Sequence, residues 1–399
     1  MRRVGGVSGI FIGSTILVFF ISSFVFSSEI SYNNDSFLSQ PETVKKKEVK
    51  HLKTPEPLKG VYMTQCVAGT PSFRDKVVKL IDETEINSVV IDIKDYSGTV
   101  SFVTGNKDID SLVSASKGCK VSDMKEFIES LHNKNIYVIG RVTVFQDSVY
   151  VKVHPELAVK RKSDGGIWKD KKGISYIDVG GKPFWDYIIA IATSSYAVGF
   201  DEINFDYIRY PSDGDMEDIY FSQTGTTTKR EMLKHFFEYL DENLSDTGIV
   251  TSADLFGMTT TNTDDLGIGQ VLEYALMNFD YVSPMVYPSH YPPAFNGWPD
   301  PNKVPYEIVK FSMDAAVARD KFLYSEIATS TASSTPDIGL MKRINPLQLR
   351  PWLQDNDYPV HYTAEMVRKQ IQATYDAGLS SWMLWDPANT YTKEALLSE

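Results

Sequence analysis

The sequence predicts a (β/α)8 barrel, and three observations carry that prediction. Short apolar strands alternate with amphipathic helices eight times between residues 59 and 399. The fourth of these strands lies in Gly199-Phe200-Asp201-Glu202-Ile203-Asn204-Phe205-Asp206-Tyr207-Ile208-Arg209-Tyr210-Pro211. There, Ile203, Phe205 and Tyr207 alternate with Glu202, Asn204 and Asp206, and helical segments flank both ends, so the polar row should face a barrel axis instead of water. Third, charged side chains recur at the same end of strand after strand. An open doubly wound sheet is the runner-up, but no glycine-rich phosphate turn follows the first strand.

In chain order, Met1-Arg2-Arg3 precedes an apolar run from Val4 to Phe26, broken only by Gly, Ser and Thr. A run of roughly 23 residues can span a bilayer. The leading arginines favour an N-in, C-out orientation. Residues 1–26 are either an uncleaved signal anchor or a signal peptide cut near residues 25–27. Either way the rest is expected outside the cytoplasm, anchored or secreted, where Cys66 and Cys119 would meet an oxidising space. Residues 27–58, polar and with a Lys45-Lys46-Lys47 run, read as a flexible linker, and 59–399 as the barrel.

The first strand is predicted at 60–64, followed by a helix over 71–84 that opens on Pro71. The second strand, 86–94, should point Val90, Asp92 and Lys94 to one side. A helix over 122–133 takes Ser122 as its N-cap, and the third strand, 136–145, carries Arg141. A long excursion, 146–181, holds an Asp164-Gly165-Gly166 turn and Trp168; connections of that length tend to be functional. A helix over 183–198 then leads into the fourth strand, and another over 228–243 leads out of it. The fifth strand, 248–256, sets Val250, Ser252 and Asp254 in one row. A helix over 271–278 precedes the sixth strand, 281–287, whose Pro284 is unusual for a central strand. Then come a helix over 305–319, a seventh strand at 348–353, a helix over 364–377 closed by Gly378, and an eighth strand at 380–385.

The formal charge of −12 and pI near 5.1 disfavour nucleic acid and polyanions as partners. The two cysteines form no CxxC, and the six histidines form no HxH or HExxH, so neither a metal site nor a cofactor is expected.

The strand ends gather Asp92, Lys94, Arg141, Asp206, Arg209, Asp254, Tyr287, Gln354, Asp355 and Asp386. Buried charges are costly unless paired, so such a gathering points to a site at the barrel mouth. Arg141 or Arg209 is expected to bridge Asp206 and keep it ionised. Tyr62, Trp168, Tyr210, Tyr287, Tyr291, Trp298, Trp352 and Trp385 offer rings beside these carboxylates, with Trp352 and Trp385 the best placed. Carboxylates on a floor with aromatic walls suit a sugar, whose apolar faces stack on rings and whose glycosidic bond yields to paired acids. The catalytic candidates are Asp206, Asp254 and Asp92, though Asp92 serves equally as a salt-bridge partner of Lys94 or Arg141. The substrate-binding candidates are Lys94, Arg141, Arg209, Tyr62, Tyr287, Trp352, Gln354 and Trp385.

Several segments together resemble one family: Gly60-Val61-Tyr62, Asp92-Ile93-Lys94-Asp95, the fourth-strand motif, Ser252-Ala253-Asp254-Leu255-Phe256-Gly257, Met285-Val286-Tyr287-Pro288-Ser289-His290-Tyr291, Arg350-Pro351-Trp352-Leu353-Gln354-Asp355 and Trp382-Met383-Leu384-Trp385. The chain is similar over about residues 58–395 to a bacterial glycoside hydrolase domain family of unknown function, grouped with TIM-barrel glycosidases. The resemblance implies a barrel and a glycosidase-like site. A looser similarity to the alpha-amylase superfamily implies a nucleophile at Asp206, where that superfamily has an Asp ending the fourth strand. Its acid is a Glu ending the fifth strand, where this sequence has the shorter Asp254.

The leading expectation is an extracytoplasmic glycosidase acting on an extracellular or envelope polysaccharide, by a retaining or an inverting carboxylate-pair mechanism. The alternative is a non-catalytic carbohydrate-binding or envelope scaffold protein on the same fold. A barrel acting on phosphorylated metabolites is disfavoured by the export signal and by the lack of a glycine-rich loop after the seventh strand. The sequence leaves the oligomeric state open.

Overall fold

A computed structural model of the chain describes residues 49–330 and 348–398. Eight strands, β1 (Lys59–Met63), β2 (Ser88–Lys94), β3 (Tyr137–Thr143), β4 (Glu202–Asp206), β5 (Val250–Phe256), β6 (Tyr281–Met285), β7 (Trp352–Gln354) and β8 (Trp382–Trp385), close into a barrel. Every ladder is parallel, and each strand pairs with its sequence neighbours, β8 returning to β1. Helices Pro71–Asp82, Met124–His132, Lys182–Val198, Lys229–Leu244, Leu272–Asn278, Pro305–Ser330 and Ala364–Asp376 form the outer layer.

The expected elements are present, with shifted ends. Thr228 opens its helix through a capping box with Glu231, which satisfies donors that the first turn leaves free. Asp123, not Ser122, holds the N-cap position of the helix Met124–His132, without a side-chain capping bond. The helix starting at Pro305 runs to Ser330, past the expected 319. The weakest seam joins β6 and β7, where the Met285–Trp352 pair is supplemented by a Val282–Leu349 bridge. Pro284 and Pro351 lie at one level of this seam and lack the N–H groups a ladder needs, which shortens β7 against its expected 348–353.

Three further helices, Gln65–Ala68, Lys107–Ala115 and Ser148–Val153, lie in the connections between the expected elements. The excursion after β3 is ordered by bridges Gln146–Tyr176 and Ala158–Ile177, and Lys160–Arg161 pairs antiparallel with Ile219–Tyr220. Trp168 is buried there and donates to the Asp215 carbonyl at 2.8 Å. Gly214, at φ +107°, lies so close that a Cβ would stand 2.6 Å from the indole, so this turn needs glycine. Cys66 and Cys119 form a disulfide.

The expected anchor and residues 27–48 lie outside the described residues. Residues 49–58, expected to be linker, instead pack against the barrel's N-terminal end. The Leu52 N–H donates to Asp201 at 2.6 Å, and Thr54 and Tyr137 share a hydrogen bond of 3.0 Å. Beneath them, Arg350 donates to Glu202 at 2.8 Å and lies 3.4 Å from the Tyr281 ring centroid, and the Tyr137 hydroxyl donates to Glu202 at 3.2 Å. Among the described residues, no helix is long and apolar enough to cross a membrane.

Candidate active site

Strand register sets the site. Asp92 lies beside Arg141, Arg141 beside Asn204, and Asn204 beside Ser252, forming one inward level across β2, β3, β4 and β5. Phe205 pairs with Ala253, so Asp206 and Asp254 follow as the next rung toward the C-terminal mouth. Neighbouring strands run about 4.8 Å apart, so this register alone brings the two carboxylates together.

Asp206 is buried and held on both oxygens. Arg141 donates to Oδ2 from Nε at 3.0 Å and from Nη2 at 2.5 Å, and the Tyr207 N–H donates to Oδ1 at 2.6 Å. The expected arginine bridge is therefore made by Arg141. Its third nitrogen donates to Asp92 at 2.6 Å, and the Tyr62 hydroxyl donates to the other Asp92 oxygen at 2.5 Å. Burial works against the Arg141 charge, but Asp206 and Asp92 more than reverse this and hold its pKa well above the ordinary value. Burial also pushes the Asp92 carboxyl up, against the pull of Arg141 and Tyr62.

Asp254 has a different environment. Asn204 Nδ2 at 2.9 Å and Trp352 Nε1 at 2.8 Å both donate to its Oδ1, and neither carries a charge. Burial, then the Asp206 charge, push its pKa up to about 8. With both donors on Oδ1, the proton belongs on Oδ2. Two carboxyl groups side by side are thus held in unlike surroundings, one on a guanidinium and one on neutral donors.

A cleft above them is lined by Arg141, Asp206, Tyr207, Arg209, Asp254, Phe256, Met285, Tyr287, His290 and Trp385. Of the expected residues, Asp206, Asp254, Arg141, Arg209, Tyr287 and Trp385 meet there. Tyr62 lies behind, stacked on Trp385 at 4.2 Å. Trp352 is buried, and its indole edge supports Asp254 instead of offering a platform.

Other expected residues lie elsewhere. Lys94 does not face the cleft: a register shift between Asp92 and Lys94 turns it outward, where it pairs with buried Asp147 at 3.0 Å. Gln354 is buried and donates to the Asn356 and Tyr358 carbonyls at 3.1 and 2.6 Å, holding a loop. Asp92 bonds Arg141, one of the two alternatives expected for it, and does not line the cleft. Trp168, Tyr210, Tyr291 and Trp298 also lie away from the cleft lining.

Tyr207, Phe256, Met285 and His290 were missed. Strict alternation sends Tyr207 to the apolar face, but β4 ends at Asp206 and Tyr207 adopts φ +52°, which turns it to the cleft. A bulky residue in that region is strained and held only by its surroundings. Phe256 and Met285 are apolar residues whose pairing at the β5–β6 end emerges from register.

A parallel eight-stranded barrel with carboxylates converging at its C-terminal mouth is the architecture of TIM-barrel hydrolases. The chain belongs to the family described as "putative glycosyl hydrolase domain", whose model matches residues 60–391. Among solved structures, a hypothetical protein from Ruminiclostridium thermocellum is 34% identical, covering 52% of this chain and 98% of its own, with TM-score 0.44. The PgaB (BpsB) glycoside hydrolase domain from Bordetella bronchiseptica is 14% identical, covering 86% and 99%, with TM-score 0.57. Alpha-L-fucosidase isoenzyme 2 from Paenibacillus thiaminolyticus is 11% identical, covering 85% and 48%, with TM-score 0.51. The last two share the fold. No curated protein sequence matches the chain.

Proposed function

We propose that the protein hydrolyses a glycosidic bond in an extracellular or envelope polysaccharide, with Asp206 as nucleophile and Asp254 as general acid. The observation that carries this reading is the pairing at the mouth: one carboxylate bonded by Arg141, its neighbour bonded only by the neutral donors Asn204 and Trp352 and pushed up to about 8 by burial. The Asp254 Oδ2 proton passes to the leaving oxygen as Asp206 attacks the anomeric carbon and the glycosidic bond breaks. Asp254, now a carboxylate, then takes a proton from the water that displaces Asp206. Adjacent strands support the short carboxyl separation, roughly 5 Å, of a retaining enzyme. Tyr287 and Trp385 supply ring faces, and burial above all, with acidic neighbours beside it, holds the Tyr287 phenol well above its ordinary pKa, so that it stays a donor.

Location outside the cytoplasm is supported by the Arg2-Arg3 and apolar sequence at the N-terminus and by the Cys66–Cys119 disulfide. Protease accessibility on intact cells tests it: digestion of the barrel is expected, and protection would oppose it.

The test of activity is reducing-end release from cell-wall and capsule glycans, followed by proton NMR of the first-formed anomer. Retained configuration is expected. Inversion would recast Asp206 as a base activating water. Glycan binding with no product from any substrate would favour the non-catalytic alternative.

A further inference from the structure

We propose that the cleft recognises an anionic substituent on its sugar, and that Arg209 is the group that binds it. This deepens the glycosidase reading and rests on it. Two arginines line the cleft, and they are engaged differently. Arg141 bonds through all three of its nitrogens to Asp206 and Asp92. Arg209 is partly exposed and has no carboxylate within ion-pair distance among the described residues. Its Nη1 donates to the Tyr210 carbonyl and the Ser212 hydroxyl, each at 3.1 Å, which fixes the plane of the guanidinium.

The Nε and Nη2 groups of Arg209 donate to nothing among the described residues, so one edge of the fork is free. The guanidinium carbon lies 4.9 Å from the Tyr207 ring centroid and 5.1 Å from that of Phe256, and both rings line the same cleft. The rings shield the cation from water without neutralising it. A guanidinium edge accepts a planar or tetrahedral oxyanion through two parallel hydrogen bonds. Of the two carboxyl groups that line the cleft, Asp206 is bonded by Arg141 and Asp254 is pushed toward its neutral form by burial; Asp170, the other acid near Tyr207, is not in the lining and accepts from the Lys172 and Ile174 N–H groups.

The chain's net charge of −12 argues against a densely charged polymer. The fitting substrate carries sparse anionic groups, such as one uronate or one sulfated sugar among neutral ones.

The test uses the full chain carrying Asp206→Asn, so that no turnover confuses binding. Calorimetry compares uronate-containing oligosaccharides with their carboxyl-reduced forms, and sulfated oligosaccharides with their desulfated forms. Binding of one charged form is expected to be roughly tenfold tighter or more than its neutral form. The preference should weaken with salt, vanish with Arg209→Gln and partly survive Arg209→Lys. Which charged form wins distinguishes carboxylate from sulfate.

Equal binding of charged and neutral forms, no binding of any charged form, or equal weakening of both by Arg209→Gln would overturn the proposal. An Arg209-dependent preference in a protein whose wild type releases no product would keep this inference and sink the hydrolase reading instead.

Discussion

The two ends of the barrel are built from the same chemical parts and differ in how those parts are matched. At the N-terminal end, Glu202 is paired with Arg350 and Tyr137, and residues 49–58 pack over them. At the C-terminal end, Asp206 is paired with Arg141, but its neighbour Asp254 has only the neutral donors Asn204 and Trp352. A buried ion pair with a lid above it is a structural device. A buried carboxyl beside a charge, with no ion pair of its own and an open cleft, is suited to moving a proton. The contrast teaches that buried charge does not by itself mark a site; incomplete matching next to solvent does.

The largest expected effect separates the two ends by function. Asp206→Asn should lower hydrolysis by about three orders of magnitude or more, since it removes the proposed nucleophile. Glu202→Gln should leave the folded protein's turnover unchanged while destabilising it by about 3 kcal/mol, because Arg350 would keep a buried, unpaired charge. Kinetics on each variant beside a denaturant melt check both. If Glu202→Gln impaired turnover as much as Asp206→Asn, the division between the ends would fail.

A smaller effect follows from linkage. Asp254 has its folded pKa raised from 3.8 to about 8, so the folded state holds a proton that the unfolded chain has released. Stability from this group is therefore lost as pH rises between those values. Asp254→Asn should abolish hydrolysis and flatten that slope, gaining on the wild type in melting temperature from pH 4 to pH 8. A parallel decline in both proteins would oppose it. In kinetics, the wild-type rate should fall as pH rises through about 8, where the acid is lost.

The smallest effect sharpens the assignment of Trp352. Trp352→Phe keeps a ring but removes one donor from Asp254 Oδ1, a bond that lowers the Asp254 pKa. The alkaline limb should move to higher pH and the rate fall about tenfold, as expected for one lost hydrogen bond to an ionised form. An unmoved limb would mean that Trp352 only fills space.

Much of this was legible in the chain. Eight apolar runs alternating with helices specify the barrel, and the Glu202, Asn204, Asp206 row specifies which way β4 faces. Asp254 was found because its row in β5 keeps strict alternation. Where alternation breaks, the reading failed. The register shift after Asp92 sends Lys94 outward, and the left-handed turn at Tyr207 sends a residue of the apolar row into the cleft. Neither break leaves a glycine or proline to announce it. Trp352 and Gln354 failed for a different reason: sequence shows that a residue ends a strand, not whether its side chain meets substrate or its neighbours.

The central claim is that Asp254 holds a proton near neutrality because its neighbour is charged and its own partners are not. A carbon-13 NMR titration of the aspartate carboxyl carbons, with Asp254→Asn to assign the signal, tests this without any substrate. An apparent pKa of about 8 is expected, falling when Asp206 is replaced by Asn. A carboxyl that titrates in the ordinary carboxylate range, or one indifferent to the loss of the Asp206 charge, would contradict the account.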